Sequence, residues 1–106
     1  MPIPDELVRA FERAVDLYVH QWTPSVEEPK VATFGGNVYT ISRLCDLIEI
    51  AGYSDEIPQA VLELLWGKVF HDPYADIKAK LKNDRSYANG ARCLRELIQR
   101  RKAAGR

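Results

Sequence analysis

One segment, residues 58–70 (PQAVLELLWGKVF), constrains the fold more than any other part of the chain because it has almost no polar residues. On a helix, its apolar residues fall on two opposite faces. These are Leu62, Leu65, Trp66 and Val69 on one face, and Ala60, Leu64 and Gly67 on the other. A helix that is apolar all round has to be covered on both sides. We therefore expect this central helix to lie in the middle of the core or partly at a subunit interface.

The candidate interface residues of the central helix are Ala60, Leu64, Trp66 and Gly67. A glycine inside a helix costs about 1 kcal/mol relative to alanine. A small residue at position 67 lets another backbone approach closely, which gives a reason for tolerating that cost. The neighbour is the first helix, the last helix or the same helix of a second chain, and the sequence leaves these three open.

Four more helices are indicated by apolar residues that recur every three or four positions. They span residues 4–22, residues 41–51, a segment beginning at Pro73, and residues 86 to about 103. At 106 residues the chain is long enough to bury a core without a metal or a disulfide. We predict a mainly α fold, a compact bundle of about five helices in a single domain over residues 1–106. The basic tail at about 100–106 is expected to fray.

Local signals mark several helix ends and one candidate hairpin. Thr40 or Ser42 is suited to cap the second helix, Gly52 to end it, and Ser86 to cap the last one. Residues 30–41 place two β-prone runs around a pair of glycines, which indicates either a short β-hairpin or a Gly-rich loop. The loop lacks the Lys-Ser/Thr of a P-loop and the third glycine of a dinucleotide fingerprint, so it does not indicate a phosphate site.

Charge is divided unequally along a chain whose net charge is zero. Residues 1–65 contain 4 Lys or Arg and 11 Asp or Glu, whereas residues 66–106 contain 11 and 4. Either the two halves pack together and neutralise each other, or the division marks a surface for nucleic acid or self-association. The candidate nucleic-acid-binding cations are Lys78, Lys82, Arg85, Arg92, Arg95, Arg100, Arg101 and Lys102.

The helices at 41–51 and 58–70 have the order of a helix-turn-helix, but the second lacks the polar face that a recognition helix needs.

The sequence contains few candidate catalytic groups. His71, Asp72 and Asp76 form the tightest polar cluster, yet a metal site needs three or four converging ligands and His20 is expected on an exposed face. We predict no catalytic constellation, metal site or cofactor.

The two cysteines, Cys45 and Cys93, match no metal or redox spacing and are expected to be reduced residues of a cytoplasmic protein, with a disulfide as the alternative. The N-terminus lacks the features of a signal peptide, and no stretch approaches the ~18 apolar residues of a membrane span.

The leading functional prediction is a non-catalytic interaction or assembly module that binds itself as a homodimer, or another protein, through the central helix. The alternative is a nucleic-acid-associated regulator.

Overall fold

The computed structural model describes residues 2–33, 35–68 and 75–104. The helices of this part are α1 (Asp5–Asp16), α2 (Ile41–Ala51), α3 (Gln59–Lys68), α4 (Ala75–Asn83) and α5 (Tyr87–Ala104). A π-helical turn (Leu17–Gln21) continues α1, and β1 (Lys30–Ala32) pairs antiparallel with β2 (Val38–Thr40). The predicted mainly α fold of about five helices is confirmed, and residues 30–41 form the hairpin rather than the loop.

Helix ends follow the local signals in the sequence. The Thr40 side chain accepts a hydrogen bond from the Arg43 N–H at 3.2 Å, which caps α2. Gly52 ends that helix with a φ of 70°, a left-handed conformation that glycine adopts without strain. At the start of α5, the N–H of Asn89 donates to Oγ of Ser86 at 3.2 Å. Thr40 and Ser86 therefore cap the starts of their helices, and Gly52 ends its helix, as the sequence predicts.

The centre of the core is the packing of α2 against α5, the most extensive helix pair in the described part of the chain. Leu44 and Ile48 of α2 and Leu94 and Leu97 of α5 are completely buried. By contrast, α3 packs with one face against α1 and the π-helical turn and leaves its other face exposed. Of the two alternatives for this helix, the middle of the core does not agree with the structure, and the subunit interface stays a prediction.

A close approach at Gly90 lets the loop before α3 lie against α5. The N–H of Ile57 donates to the Arg85 carbonyl at 2.8 Å, and the N–H of Tyr87 donates to the Asp55 carbonyl at 2.9 Å. These bonds bring the Ile57 side chain over α5, where a Cβ atom on Gly90 would overlap Ile57 Cδ1. Only glycine fits this position without a shift of the neighbouring side chain.

The C-terminal part of α5 is anchored to the rest of the fold. The guanidinium of Arg101 in α5 donates a 2.7 Å hydrogen bond to the Tyr18 carbonyl of the π-helical turn. The neighbouring Leu17 carbonyl accepts from the N–H of Trp22 at 2.9 Å. That guanidinium also lies over the Tyr18 and Trp22 rings, 5.1 and 5.3 Å from their centres. The helix continues to Ala104 and so includes the first residues of the basic tail, whose fraying stays a prediction.

Candidate interaction surface

The solvent-facing side of α3 carries three of the four predicted interface residues. Ala60 and Gly67 are exposed, and Leu64 is 39% exposed. The opposite side is buried through Val61, Leu62 and Leu65. Trp66 differs from the other three candidates because it is half-buried. Three residues of the prediction thus share one open face, and the tryptophan lies at its edge.

Trp66 is turned toward the segment before α5. The guanidinium of Arg85 lies 5.7 Å from the centre of the indole ring, and one of its nitrogens is 3.4 Å from Oε1 of Gln59. Val69, which the sequence places on the same side as Trp66, lies outside the described residues. We therefore define the α3 face as Ala60, Leu64 and Gly67, without the tryptophan.

A groove of about 380 Å³ runs beside the α3 face. It is lined by Val19, His20, Glu63, Leu64 and Gly67. The first two belong to the π-helical turn, which packs against α3. The groove therefore joins the open helix face to a second element, and its lining is partly apolar.

Gly67 opens the groove without being needed by the monomer. A Cβ atom at this position would meet no atom of the described residues within 4 Å. Its φ is not positive, so the backbone does not demand glycine either. Gly67 is the second-last residue of α3 as described, and glycine costs up to about 1 kcal/mol relative to alanine in a helix. The contacts of the described residues offer no compensation for that cost.

His20 lies on the exposed side of its helix, as predicted. Its Nε2 is 3.9 Å from Oδ1 of Asp16, and more than half of its side chain is exposed. The sequence did not indicate that His20 lines a groove, since that position depends on how α3 packs against the π-helical turn.

Much of the predicted basic strip forms ion pairs with carboxylates from other elements. Arg95 of α5 pairs with Asp46 and, at 2.8 Å, with Glu49 of α2. Arg100 makes two hydrogen bonds to Asp76 of α4, at 2.9 and 2.6 Å. The contacts support the interpretation that the acidic and basic halves neutralise each other where they pack.

The other candidate cations differ in their surroundings. Arg92 donates to Oδ1 of Asn89 at 2.5 Å, and Lys78 is half-buried. Lys82 is exposed. The structure therefore does not present the eight cations as one continuous unpaired surface.

Glu28 is a structural contact that sequence reasoning missed. Its side chain is only 10% exposed, one oxygen accepts from the Ser42 N–H at 2.6 Å, and the other lies 2.6 Å from Nζ of Lys102. Burial raises the pKa of Glu28, but the hydrogen bonds from Lys102 and Ser42 outweigh it and the net pKa is lowered. Its signal in the sequence is weak, because it lies in a Pro-rich connector expected to bury little.

A depression of about 500 Å³ on another side of the molecule is lined by Asp46, Lys80, Arg92, Arg95, Glu96 and Gln99. Two of its three cations pair with carboxylates, and the third, Arg92, donates to the Asn89 side chain. Nζ of Lys80 lies 3.4 Å from Oε2 of Glu96, and Arg95 is held by Asp46. The depression therefore offers no unpaired charge cluster for a ligand.

The candidate catalytic groups do not converge. Within residues 2–33, 35–68 and 75–104, no group of three or more His, Cys, Asp or Glu side chains could hold a metal. His71 and Asp72 lie outside these ranges, and Arg100 lowers the pKa of Asp76 to about 2 through its hydrogen bonds. Cys45 and Cys93 are buried free thiols, and burial raises the pKa of both, that of Cys93 to about 11. Thiols in this state are poor nucleophiles at neutral pH.

Among the described helices, none is long and apolar enough to cross a bilayer. Comparison with known proteins provides no family: no family model, curated protein or solved structure matches this chain.

Proposed function

We propose that the protein is a non-catalytic interaction module that forms a homodimer through the α3 face. The observation that carries this proposal is Gly67. It is the second-last residue of α3 as described and lies on an exposed face with Ala60 and Leu64, and no described contact within the chain requires glycine there. A second α3 helix packed against that face would gain from the missing side chain, because small residues allow two backbones to approach closely.

A symmetric dimer satisfies the arrangement of residues along α3. In an antiparallel pair with its two-fold axis between positions 63 and 64, Ala60 of one copy lies opposite Gly67 of the other, twice. The two Leu64 side chains meet near the axis, and the two exposed Glu63 side chains lie beside it, where their like charges weaken the contact. Such an isologous contact uses the same patch on both copies, which is the commonest form of homodimer.

The expected affinity is modest. One short helix and an adjoining groove bury less than the ~1,200 Å² of a standard stable interface. We therefore expect a dissociation constant in the micromolar range, with monomer and dimer in exchange.

A cytoplasmic location is part of the same proposal, supported by two free thiols that are compatible with a reducing compartment.

Sedimentation equilibrium over concentrations up to about 100 μM tests the proposal. We expect wild-type protein to shift from monomer to dimer, and Leu64→Glu to remain monomeric because it buries a charge at the axis. Ile50→Glu is the matched control. Ile50 is 80% exposed on α2, away from the groove, so its replacement should leave dimerisation unchanged. The proposal would be refuted if the wild type stays monomeric throughout the concentration range, or if both variants lose the dimer to the same extent.

The nucleic-acid alternative has less support than dimerisation, because Arg95, Arg100 and Lys102 already pair with carboxylates. It remains a prediction of the sequence. Titration with duplex and single-stranded DNA at two salt concentrations tests it, since binding through phosphates weakens steeply as salt rises.

A further inference from the structure

The outer edge of β1 in the hairpin has backbone groups that point away from β2. The N–H of Ile41 donates to the Pro29 carbonyl at 3.3 Å, just before the β1–β2 pairing begins. At the other end, the N–H of Thr33 donates to the Asn37 carbonyl at 2.8 Å. Hydrogen-bonded and non-hydrogen-bonded pairs alternate along an antiparallel ladder, so these two bonds fix the pattern between them.

By that alternation Val31 and Tyr39 form the hydrogen-bonded pair inside the hairpin. Lys30 and Ala32 are then in non-hydrogen-bonded pairs, and their N–H and C=O groups point away from β2. No backbone partner is found for them among the described residues. The outer edge of β1 therefore carries two sets of donors and acceptors in the arrangement that an added strand requires.

A groove of about 280 Å³ lies beside this edge. It is lined by Glu6, Arg9, Ala10 and Arg13 of α1 and by Ala32 and Thr33. Ala10, a small residue, is buried in its lining. The groove thus meets the strand edge at Ala32 and Thr33 and is bounded on its other side by α1.

The charges around the edge favour an acidic occupant. Arg9 has no ion-pair partner among the described residues, and Arg13 makes only a 3.5 Å contact to Asp16 in which both side chains are largely exposed. Lys30 adds a third cation at the strand itself, whereas Glu6 is the acidic residue of the groove. Exposed pairs of this length contribute little, so Arg13 remains available to a ligand.

We propose that the outer edge of β1 binds an extended acidic segment of a partner protein, which adds to the hairpin as a third strand. Backbone hydrogen bonds to Lys30 and Ala32 hold the segment, and its carboxylates face Arg9 and Arg13. A second copy of this chain does not fit, because pairing two β1 edges would bring like charges together. The site is separate from the α3 face, so the test of peptide binding does not depend on whether the dimer forms.

Fluorescence anisotropy with a blocked, labelled peptide of alternating threonine and glutamate tests the site. Ala32→Pro removes one outward N–H without removing a hydrogen bond inside the hairpin, and proline is tolerated on an edge strand. Val38→Pro is the matched control, since Val38 occupies the equivalent outward position on β2. We expect Ala32→Pro to weaken binding at least about tenfold, and Val38→Pro to change it less than about twofold. Circular dichroism establishes that both variants are folded.

Two further measurements separate backbone recognition from charge alone. Methylating the central amides of the peptide should abolish binding without altering the protein, which covers the case in which Ala32→Pro fails to fold. A combined Arg9→Gln and Arg13→Gln variant should weaken binding several-fold and reduce its salt dependence. The proposal is overturned if the wild type does not bind at about 1 mM peptide, or if the two proline variants lose the same amount of affinity for the peptide. It is also overturned if a threonine–lysine peptide binds with the same affinity as the threonine–glutamate peptide.

Discussion

Two glycines within helices, Gly67 near the described end of α3 and Gly90 in the first turn of α5, allow a controlled test of the packing. Gly90 faces Ile57, and a Cβ atom there would overlap Ile57 Cδ1 and lie 3.7 Å from Cζ of Phe11. Gly67 has open space in the same position. Replacing either glycine with alanine gains up to about 1 kcal/mol of helix propensity. Only the Gly90 variant adds an overpacking cost, about 1–3 kcal/mol.

Both variants gain helix propensity, so their difference measures mainly the overpacking. We expect Gly67→Ala to raise the free energy of unfolding by up to about 1 kcal/mol. Gly90→Ala should be lower than Gly67→Ala by about 1–3 kcal/mol. Urea denaturation followed by circular dichroism gives both values. Low protein concentration keeps any dimer from contributing.

A double variant identifies the atom responsible. Ile57→Val removes Cδ1, the atom that a Cβ on Gly90 would overlap, at a cost of about 0.5–1.5 kcal/mol. In that background Gly90→Ala should lose most of its penalty, so the two changes couple favourably. The reasoning is refuted if Gly90→Ala is as stable as Gly67→Ala, or if Ile57→Val brings no relief.

Three further predictions concern stability and reactivity. Asn89→Ala should lower the free energy of unfolding by about 1–3 kcal/mol, because Nδ2 of this buried residue donates to two carbonyls at the end of α4, whereas exposed Asn83→Ala should change it little in the same urea assay. The folded-state pKa of Glu28 is lowered, so its stabilisation is complete above the unfolded value near 4.5 and is lost as pH falls through the folded pKa. Acid titrations should therefore show a shallower loss of stability below that value for Glu28→Gln, and an unchanged slope would contradict the assignment. Cys45 and Cys93 should resist a thiol reagent at neutral pH until the chain opens, and rapid labelling of native protein would show that they are not buried as described.

The sequence predicted features that depend on neighbouring residues in the chain. A threonine at position 40, a glycine at 52 and a serine at 86 act within one helical turn, so their effects are visible without knowing the fold. The short hairpin likewise depends on two adjacent glycines, of which Gly36 takes a φ of 82°. These signals were sufficient for the class and order of the elements.

The sequence left open whether α3 lies in the core or at an interface, because an apolar helix face indicates a need for cover without indicating what covers it. α3 is more uniformly apolar than α5, yet α5 is longer and packs along α2 with one continuous buried stripe. The basic strip was read as a surface for the same reason. Arg95 is outward on its own helix but meets Asp46, which is 49 positions away in sequence.

The candidate site was predicted in part. Ala60, Leu64 and Gly67 were identified from their shared face, and the structure leaves that face open. The adjoining groove was not predictable, since Val19 and His20 reach it only through tertiary packing. The open edge of β1 was also missed, because it depends on which pairs of the hairpin are hydrogen-bonded.

Disulfide trapping at position 63 tests the α3 dimer most directly. In the proposed antiparallel pair this position lies beside the two-fold axis, where two Cα atoms can approach within the ~7 Å that a disulfide permits. We predict that Glu63→Cys forms a covalent dimer under mild oxidation at least about ten times faster than Ile50→Cys, a similarly exposed site on α2. Equal rates for the two variants, or no covalent dimer from Glu63→Cys, would contradict association through α3.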